Sequence, residues 1–412
     1  MCLPPGGSPT RPLHGEKHVG STDASSAAMD EVPRAKRPRL ETVVRARPVP
    51  FNHRRVVGPM VGASDLAFRL LCRRHGADAI YSEMLFSGRL VTDTSYRARK
   101  LQTCPHDRPL VIQICANNAD EAAAACKTIE FCCTSADAID LNLGCPLPQA
   151  EAQGFGAYLL DRPHWIRVAA IVRAMSAACD LPIFCKIRLL ETVEDTIELC
   201  ELLVASGCSL IAVHGRRRPA AQSHRGQRQR EAADLDTISE LVRAVRSVPI
   251  LTNGNTQRPE DVARNLEHTG AAGLMAAEGV LINPLLFEAH AMAASVPCQS
   301  SDACSDACFE GFPGVCAAGP EDVQEEAGAG GMSRRQIGHV ALEYLKLAEE
   351  YPPENPSIIR SHLMWMLGRS GKGHHCKFAW RGPFTHDQLR MALVDAEQPE
   401  DFERIVRLTL LE

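Results

Sequence analysis

The chain has 412 residues, 45% of them hydrophobic and only 5% aromatic, enough for one large domain and a smaller companion packed mainly on aliphatic side chains. Its 45 Lys and Arg against 50 Asp and Glu leave a net charge of −5, which excludes the uniformly basic surface of a protein held on nucleic acid by bulk charge, so any basic surface must be local. The 17 cysteines are odd in number, lie mostly inside apolar runs and follow no secretory signal, so they read as reduced intracellular thiols. No apolar run reaches the roughly 18 residues of a membrane span.

Residues 1–48 are rich in Pro, Gly, Ser and charge and read as a disordered arm. Within it Arg34, Lys36, Arg37 and Arg39 form a short basic cluster of the kind that directs nuclear import. Residues 49–293 alternate short apolar runs with helical periodicity. Strands are predicted at 55–59, 78–82, 109–115, 138–143, 182–188, 208–213, 248–252 and 272–276, with helices at 64–75, 119–133, 164–178, 193–206, 234–246 and 259–268. Eight strand–helix units fit an α/β fold of the (β/α)8 TIM-barrel type better than an open Rossmann-like sheet, whose glycine fingerprint is missing. Residues 294–332 read as a low-complexity insertion. Its Cys298, Cys304, Cys308 and Cys316 lack paired spacing and interleaved His, so no metal site is expected. Residues 333–412 read as a small all-helical C-terminal domain, with helices at 337–348 and 358–367 and a third pattern over 386–411.

In a barrel of this kind reacting groups stand where the strands end. After the first strand comes the turn Pro59, Met60 and Val61; the third carries Gln113; the fourth carries Asn142 and leads into Cys145. The fifth carries Lys186, and the sixth ends at His214, followed by Arg216, Arg217 and Arg218. The seventh ends in Asn253, Gly254 and Asn255 and the eighth in Ala277 and Glu278, a pair of turns placed to cradle a phosphate. Each has a plainer reading. Cys145 could be a structural thiol, His214 a core histidine bonded to backbone, and Asn253–Asn255 only a turn. Lys186 is the least easily explained as packing, because a charge inside Ile183–Ile187 needs an anionic partner. The set suits a flat-ringed cofactor with one phosphate, such as FMN, while leaving open a phosphosugar, or pyridoxal phosphate held by Lys186.

The runs Gly58–Arg69, Asp140–Pro146, Cys185–Arg188, Val213–Arg216 and Ala277–Gly279 resemble the tRNA-dihydrouridine synthases over residues 55–288. Ala277-Glu278 and the segments Tyr351–Ser357 and Arg360–Leu363 are similar to the eukaryotic branch acting on D-loop positions sixteen and seventeen. The resemblance implies an FMN barrel and a helical domain that clamp tRNA, with NADPH as reductant. Pro59, Met60, Val61, Gln113, Lys186, His214, Asn253, Gly254, Asn255, Ala277 and Glu278 would line the cofactor, and Cys145 would donate the proton. A thiol with an ordinary pKa of about 8.5 is protonated at neutral pH and suits that role. Asn142 would orient the base, and Arg216, Arg217 and Arg218, with Arg225, Arg228 and Arg230 beyond them, would meet RNA phosphates.

Two features depart from the family. The segment Leu147–Gly154 is neutral to acidic where a basic loop is usual, and the 294–332 insertion replaces a compact join. The alternatives are therefore an RNA-binding barrel without efficient turnover, or an FMN oxidoreductase of a free pyrimidine. A cytoplasmic or nuclear location is expected, and nothing points to an obligate protein partner.

Overall fold

The computed structural model describes residues 44–219, 231–288, 332–367, 386–396 and 398–408. The arm as far as residue 43, Arg225, Arg228, Arg230 and the four cysteines of the insertion lie outside them. None of the 11 cysteines among the described residues is in a disulfide.

All eight predicted strands form. They are β1 (Arg55–Val57), β2 (Ala79–Tyr81), β4 (Leu110–Cys115), β5 (Ala136–Leu143), β6 (Ile183–Leu189), β7 (Cys208–Arg217), β8 (Ile250–Asn253) and β9 (Gly273–Ala276), with a two-residue β3 (Leu85–Phe86) added alongside β4. Every pairing is parallel. β1 pairs with both β2 and β9, and β2 pairs with β4, so the sheet has no free edge and closes as an eight-stranded barrel. That closure removes the open-sheet alternative.

The predicted helices form as α1 (Leu66–Arg74), α4 (Ala119–Cys132), α6 (Trp165–Ala178), α7 (Val193–Ala205), α8 (Leu235–Ala244) and α9 (Pro259–Thr269). Side chains of Asp65, Asn118, Thr192 and Asp234 accept the free N–H groups at four of their starts. Three short helices were not predicted: α2 (Ser87–Thr92), α3 (Thr94–Lys100) and α5 (Pro148–Gln153). Each has at most seven residues and one or two buried side chains, too little to set up a periodic signal. A short α10 (Glu278–Ile282) follows β9.

Strand alternation sorts the core into two shells. Val56, Ala79, Tyr81, Val111, Ala138, Phe184, Leu210, Ala212, Leu251 and Met275 fill the barrel interior. Their neighbours, such as Ile139, Leu141 and Leu143 of β5, pack outward against the helices. The next inward positions toward the strand ends are polar: Gln113, Asp140, Asn142, Lys186, His214 and Asn253. The fold thus stacks a polar layer directly on an apolar plug.

Four further helices follow: α11 (Arg334–Glu350), α12 (Pro356–Met366), α13 (His386–Asp395) and α14 (Pro399–Val406). The single pattern expected over 386–411 is two helices, because Pro399 has no N–H to continue a helix and instead occupies the first turn of a new one. α11 and α12 are anchored on α1. His362 is fully buried, stacks on Phe68 with ring centroids 4.2 Å apart, and bonds Asp65 through Nε2 at 2.7 Å. Burial alone would raise the Asp65 carboxyl, but His362, the Phe68 N–H and Arg69 together hold it below its usual value. His362→Ala, which opens a cavity and strands that carboxylate, is expected to cost about 3 kcal/mol in urea unfolding. An unchanged midpoint would refute the anchor.

Candidate active site

The site lies at the carboxyl ends of the strands, where Cys145 leaves β5 on a turn fixed from several sides. Asn142 Oδ1 accepts from the backbone N–H of Gly144 at 3.0 Å and of Cys145 at 2.9 Å. Ala157 N–H donates to the Cys145 carbonyl at 3.0 Å, and Arg188 Nε donates to the Gly144 carbonyl at 2.7 Å. Gly156, at φ +68°, passes so close that a Cβ there would stand 2.7 Å from the Cys145 carbonyl oxygen. The backbone is held while the thiol is partly exposed.

Across the mouth stand three cations and an imidazole. Register pairs Asn142 with Lys186 and Arg188 with His214, the two-residue step from Lys186 to Arg188 keeps both on the inner face, and Arg216, within a register irregularity of β7, reaches back to His214. Lys186 has no hydrogen-bond partner among the described residues, although it is partly buried. Burial, then the Arg188 charge, push its amine down to about 8, with Asp140 opposing only weakly. Arg188 is pushed down to about 10 by burial and by Arg216. Burial, then Lys186, Arg188 and Arg216, drive the His214 imidazole far below its usual value. Its neutrality has a geometric counterpart: Arg216 Nη1, which can only donate, lies 3.1 Å from His214 Nε2. The imidazole proton therefore sits on Nδ1.

Beneath this layer Gln113 and Asp140 are fully buried. Gln113 Nε2 donates to Asp140 Oδ2 at 2.8 Å, and its Oε1 accepts from Asn142 Nδ2 at 2.8 Å. Burial raises Asp140 to about 7, against the pull of Gln113, Lys186 and Tyr81.

The turns after β8 and β9 lie side by side at the strand ends. Gly254, at φ +126°, occupies a conformation that only glycine adopts without strain, and a Cβ there would meet Ala233 at 2.6 Å. Asn255 clamps Ala233 through both its N–H and its carbonyl at 2.8 Å, and Asn253 Nδ2 donates to the Met275 carbonyl at 2.8 Å. Ala277 and Glu278 are partly buried beside them. In the turn after β1, Pro59 and Met60 are partly buried, while Val61 is 69% exposed and can offer the site only its backbone.

The three arginines expected to meet substrate part company. Arg216 reaches toward the turn after β8, bonding the Glu231 carbonyl at 2.6 Å and Asn255 Oδ1 at 3.4 Å. Arg218 pairs with Asp161 at 2.9 Å and lies over the Tyr158 ring. Arg217 is exposed, with no carboxylate in salt-bridge range among the described residues. Arg188 and Asp140 were not singled out from sequence, yet each is two residues from a predicted site residue on the same strand, a spacing that places both on one face.

A cavity of about 380 Å³ opens beside the mouth, lined by Arg99, Lys100, Glu83 and Glu354 among others. Its cations are already paired: Lys100 with Glu83 at 2.8 Å and Glu354 at 2.6 Å, Arg99 with Glu354 at 2.9 Å. The uncompensated positive charge is at the barrel mouth.

A closed parallel barrel with a thiol and a cation cluster converging at its strand ends defines the class, a TIM barrel with a cationic mouth. The chain belongs to the dihydrouridine synthase (Dus) family, whose model matches residues 55–310. It is 38% identical over 242 residues to a Mus musculus protein described as tRNA-dihydrouridine(16/17) synthase-like, covering 58% of this chain and 49% of that one. A Saccharomyces cerevisiae tRNA-dihydrouridine(16/17) synthase is 35% identical over 57% of this chain and 54% of its own length. A tRNA-dihydrouridine(20a/20b) synthase of the same yeast is 33% identical over 57% of this chain and 62% of its own length. The chain spans about half the length of the curated relatives it matches first.

Proposed function

We propose that the chain reduces uridine in tRNA to dihydrouridine, using FMN as cofactor and NADPH as reductant. The observation that carries this reading is the pairing of a positioned thiol, Cys145, with the cation cluster Lys186, Arg188 and Arg216 in a family of dihydrouridine synthases. The residues fit the cofactor: Lys186 is a partly buried cation without a partner among the described residues, and Gly254, at φ +126° and packed against Ala233, keeps the turn after β8 free of a side chain.

Lys186 and Arg216 would hold the anionic groups of FMN, His214 would offer its Nδ1–H, and the 253–255 and 277–278 turns would cradle the phosphate. Bound and reduced, the flavin supplies the hydride that goes to C6 of the uracil ring. Cys145 gives its proton to C5, so that one hydride and one proton saturate the C5=C6 bond and a thiolate remains. Lys186 and Arg188 stabilise that thiolate by charge until solvent reprotonates it. Tyr158 holds the far side of the turn, its hydroxyl donating to the Pro146 carbonyl at 3.3 Å. A target uridine must leave its stack to reach the thiol, and Arg217, exposed and bonded through Nε to the Leu190 carbonyl at 3.0 Å, is the arginine of the 216–218 run best placed to meet a backbone phosphate.

Positions sixteen and seventeen of the D-loop are the proposed targets; relatives named for them match at 33% to 38%, and relatives named for 20a/20b at 31% to 33%. A tRNA substrate fits a cytoplasmic or nuclear location, and among the described residues no helix is long and apolar enough to cross a membrane.

Purified protein should be yellow and should form dihydrouridine in unmodified tRNA with NADPH. Flavin-loaded protein that binds tRNA yet forms none would favour the RNA-binding barrel. Its α5 segment carries Glu151 and no basic residue. Turnover of free pyrimidine without tRNA affinity would favour the third reading.

A further inference from the structure

The hydrogen bonds under the thiol form a directed chain. Asp140 Oδ2 accepts from Gln113, Gln113 Oε1 accepts from Asn142, and Asn142 Oδ1 accepts from the N–H groups of Gly144 and Cys145, all within 2.8 to 3.0 Å. Strand register builds it: Gln113 is the partner of Asp140 across β4 and β5, and Asn142 is two residues further along the same inner face. The two ends differ in polarity. Backbone N–H groups only donate and an ionised carboxylate only accepts, so above about pH 7, where Asp140 is ionised, each of the two amides between them has one orientation that satisfies both neighbours.

We propose that Asp140, Gln113 and Asn142 act as a polarity relay that sets the position of the Cys145 thiol, with Asp140 and Gln113 as positioning residues that touch neither substrate nor thiol. Asp140 fixes which way the Gln113 amide faces. Gln113 then fixes Asn142, whose carbonyl oxygen is committed to the turn carrying the thiol. An inverted amide anywhere would set two oxygens or two N–H groups against each other among buried side chains.

The relay predicts rescue by a charge swap. Asn142→Asp still accepts from the turn, but its second oxygen faces Gln113 Oε1, and inverting Gln113 would only move the clash to Asp140. Adding Asp140→Asn lets Gln113 invert, donating to position 142 and accepting from position 140. Gln113→Glu gives a second, independent pair, because it sets a carboxylate against Asp140 and is relieved by the same Asp140→Asn.

The primary readout is the rate at which iodoacetamide alkylates Cys145 in the full chain without tRNA, followed on the Cys145 peptide by mass spectrometry. Each single variant, Asn142→Asp or Gln113→Glu, should shift that rate by about tenfold or more, and each double variant should return it to within about threefold of wild type. Dihydrouridine formation should fall and recover in parallel, and each double variant should melt above its single. The proposal is overturned if the singles alkylate like wild type, or if neither double recovers the rate or melts above its single. The thiol's role as proton donor rests on the proposed function, but alkylation does not. Rescue of alkylation in a protein that forms no dihydrouridine would sink the function and leave the relay standing, and turnover without rescue would do the reverse.

Discussion

Cys145→Ala is expected to bind flavin and accept electrons from NADPH as the wild type does, and to reduce uridine more slowly by a factor of about 10² to 10⁴. The separation of the two half-reactions follows from how the turn is held. Asn142, Ala157 and Arg188 all bond backbone atoms of Gly144 and Cys145, and those bonds survive removal of the sulfur. The cradle residues 253–255 and 277–278 lie on β8, β9 and the turns after them, on the other side of the mouth. Alanine therefore removes a proton donor and little else. Two rates measured on one sample decide it: reduction of the bound flavin by NADPH, and its reoxidation by tRNA. The second should collapse while the first holds. Reoxidation within about threefold of wild type would remove Cys145 from the proton transfer. Cys145→Ser should resemble alanine, because a serine hydroxyl is a far weaker acid than a thiol.

The barrel was legible because its signal is repetitive: eight apolar runs separated by helical periodicity leave few alternatives, and each predicted strand lies within a few residues of an observed one. Depth was not legible. Gln113 was read only as a cofactor contact; β4 also buries it where Asp140 and Asn142 engage its amide, which the sequence did not show. Arg216 was read as an RNA contact because it opens a run of arginines. In the structure β7 continues to Arg217, four residues past its predicted end, and within a register irregularity opposite Arg188 and Leu189 Arg216 turns to His214 and Asn255. A strand edge extended by polar residues leaves no hydrophobic mark, so pattern alone stops too early. The segment 147–154 was expected to be a loop, and six of its residues are helix α5, closed by Gly154 at φ +67°. The thiol, the lysine and the turns after β8 and β9 stood out for the opposite reason: each is polar in a setting where packing gives it no purpose, and the structure brings them to the same end of the barrel.

Lys186→Met is expected to weaken FMN binding by between about tenfold and a hundredfold, the loss of one charge-assisted contact in a partly buried site. The same residue predicts a pH dependence whose sign can be worked out. In the cofactor-free protein burial and Arg188 push the Lys186 amine down to about 8. The cation that an anionic cofactor needs is thus present below about pH 8 and lost above it, so wild-type affinity should be steady at neutral pH and fall as the pH rises beyond 8. Arg188, pushed down only to about 10, stays charged through most of that window, and His214 is neutral across it, so neither produces the fall. Stability of the cofactor-free chain should move the other way. Between the depressed folded value near 8 and the unfolded value of about 10.4 the unfolded state binds more protons, and stability rises with pH across that interval. Lys186→Met should abolish both trends, and because methionine replaces a desolvated charge with an apolar chain of similar length, the variant should be at least as stable as wild type at neutral pH. Titration of FMN into the cofactor-free protein between about pH 6.5 and about pH 9.5, alongside urea unfolding at the same pH values, measures both slopes. An affinity in the wild type that stays level through pH 8 and beyond would show that the Lys186 charge is not what holds the cofactor.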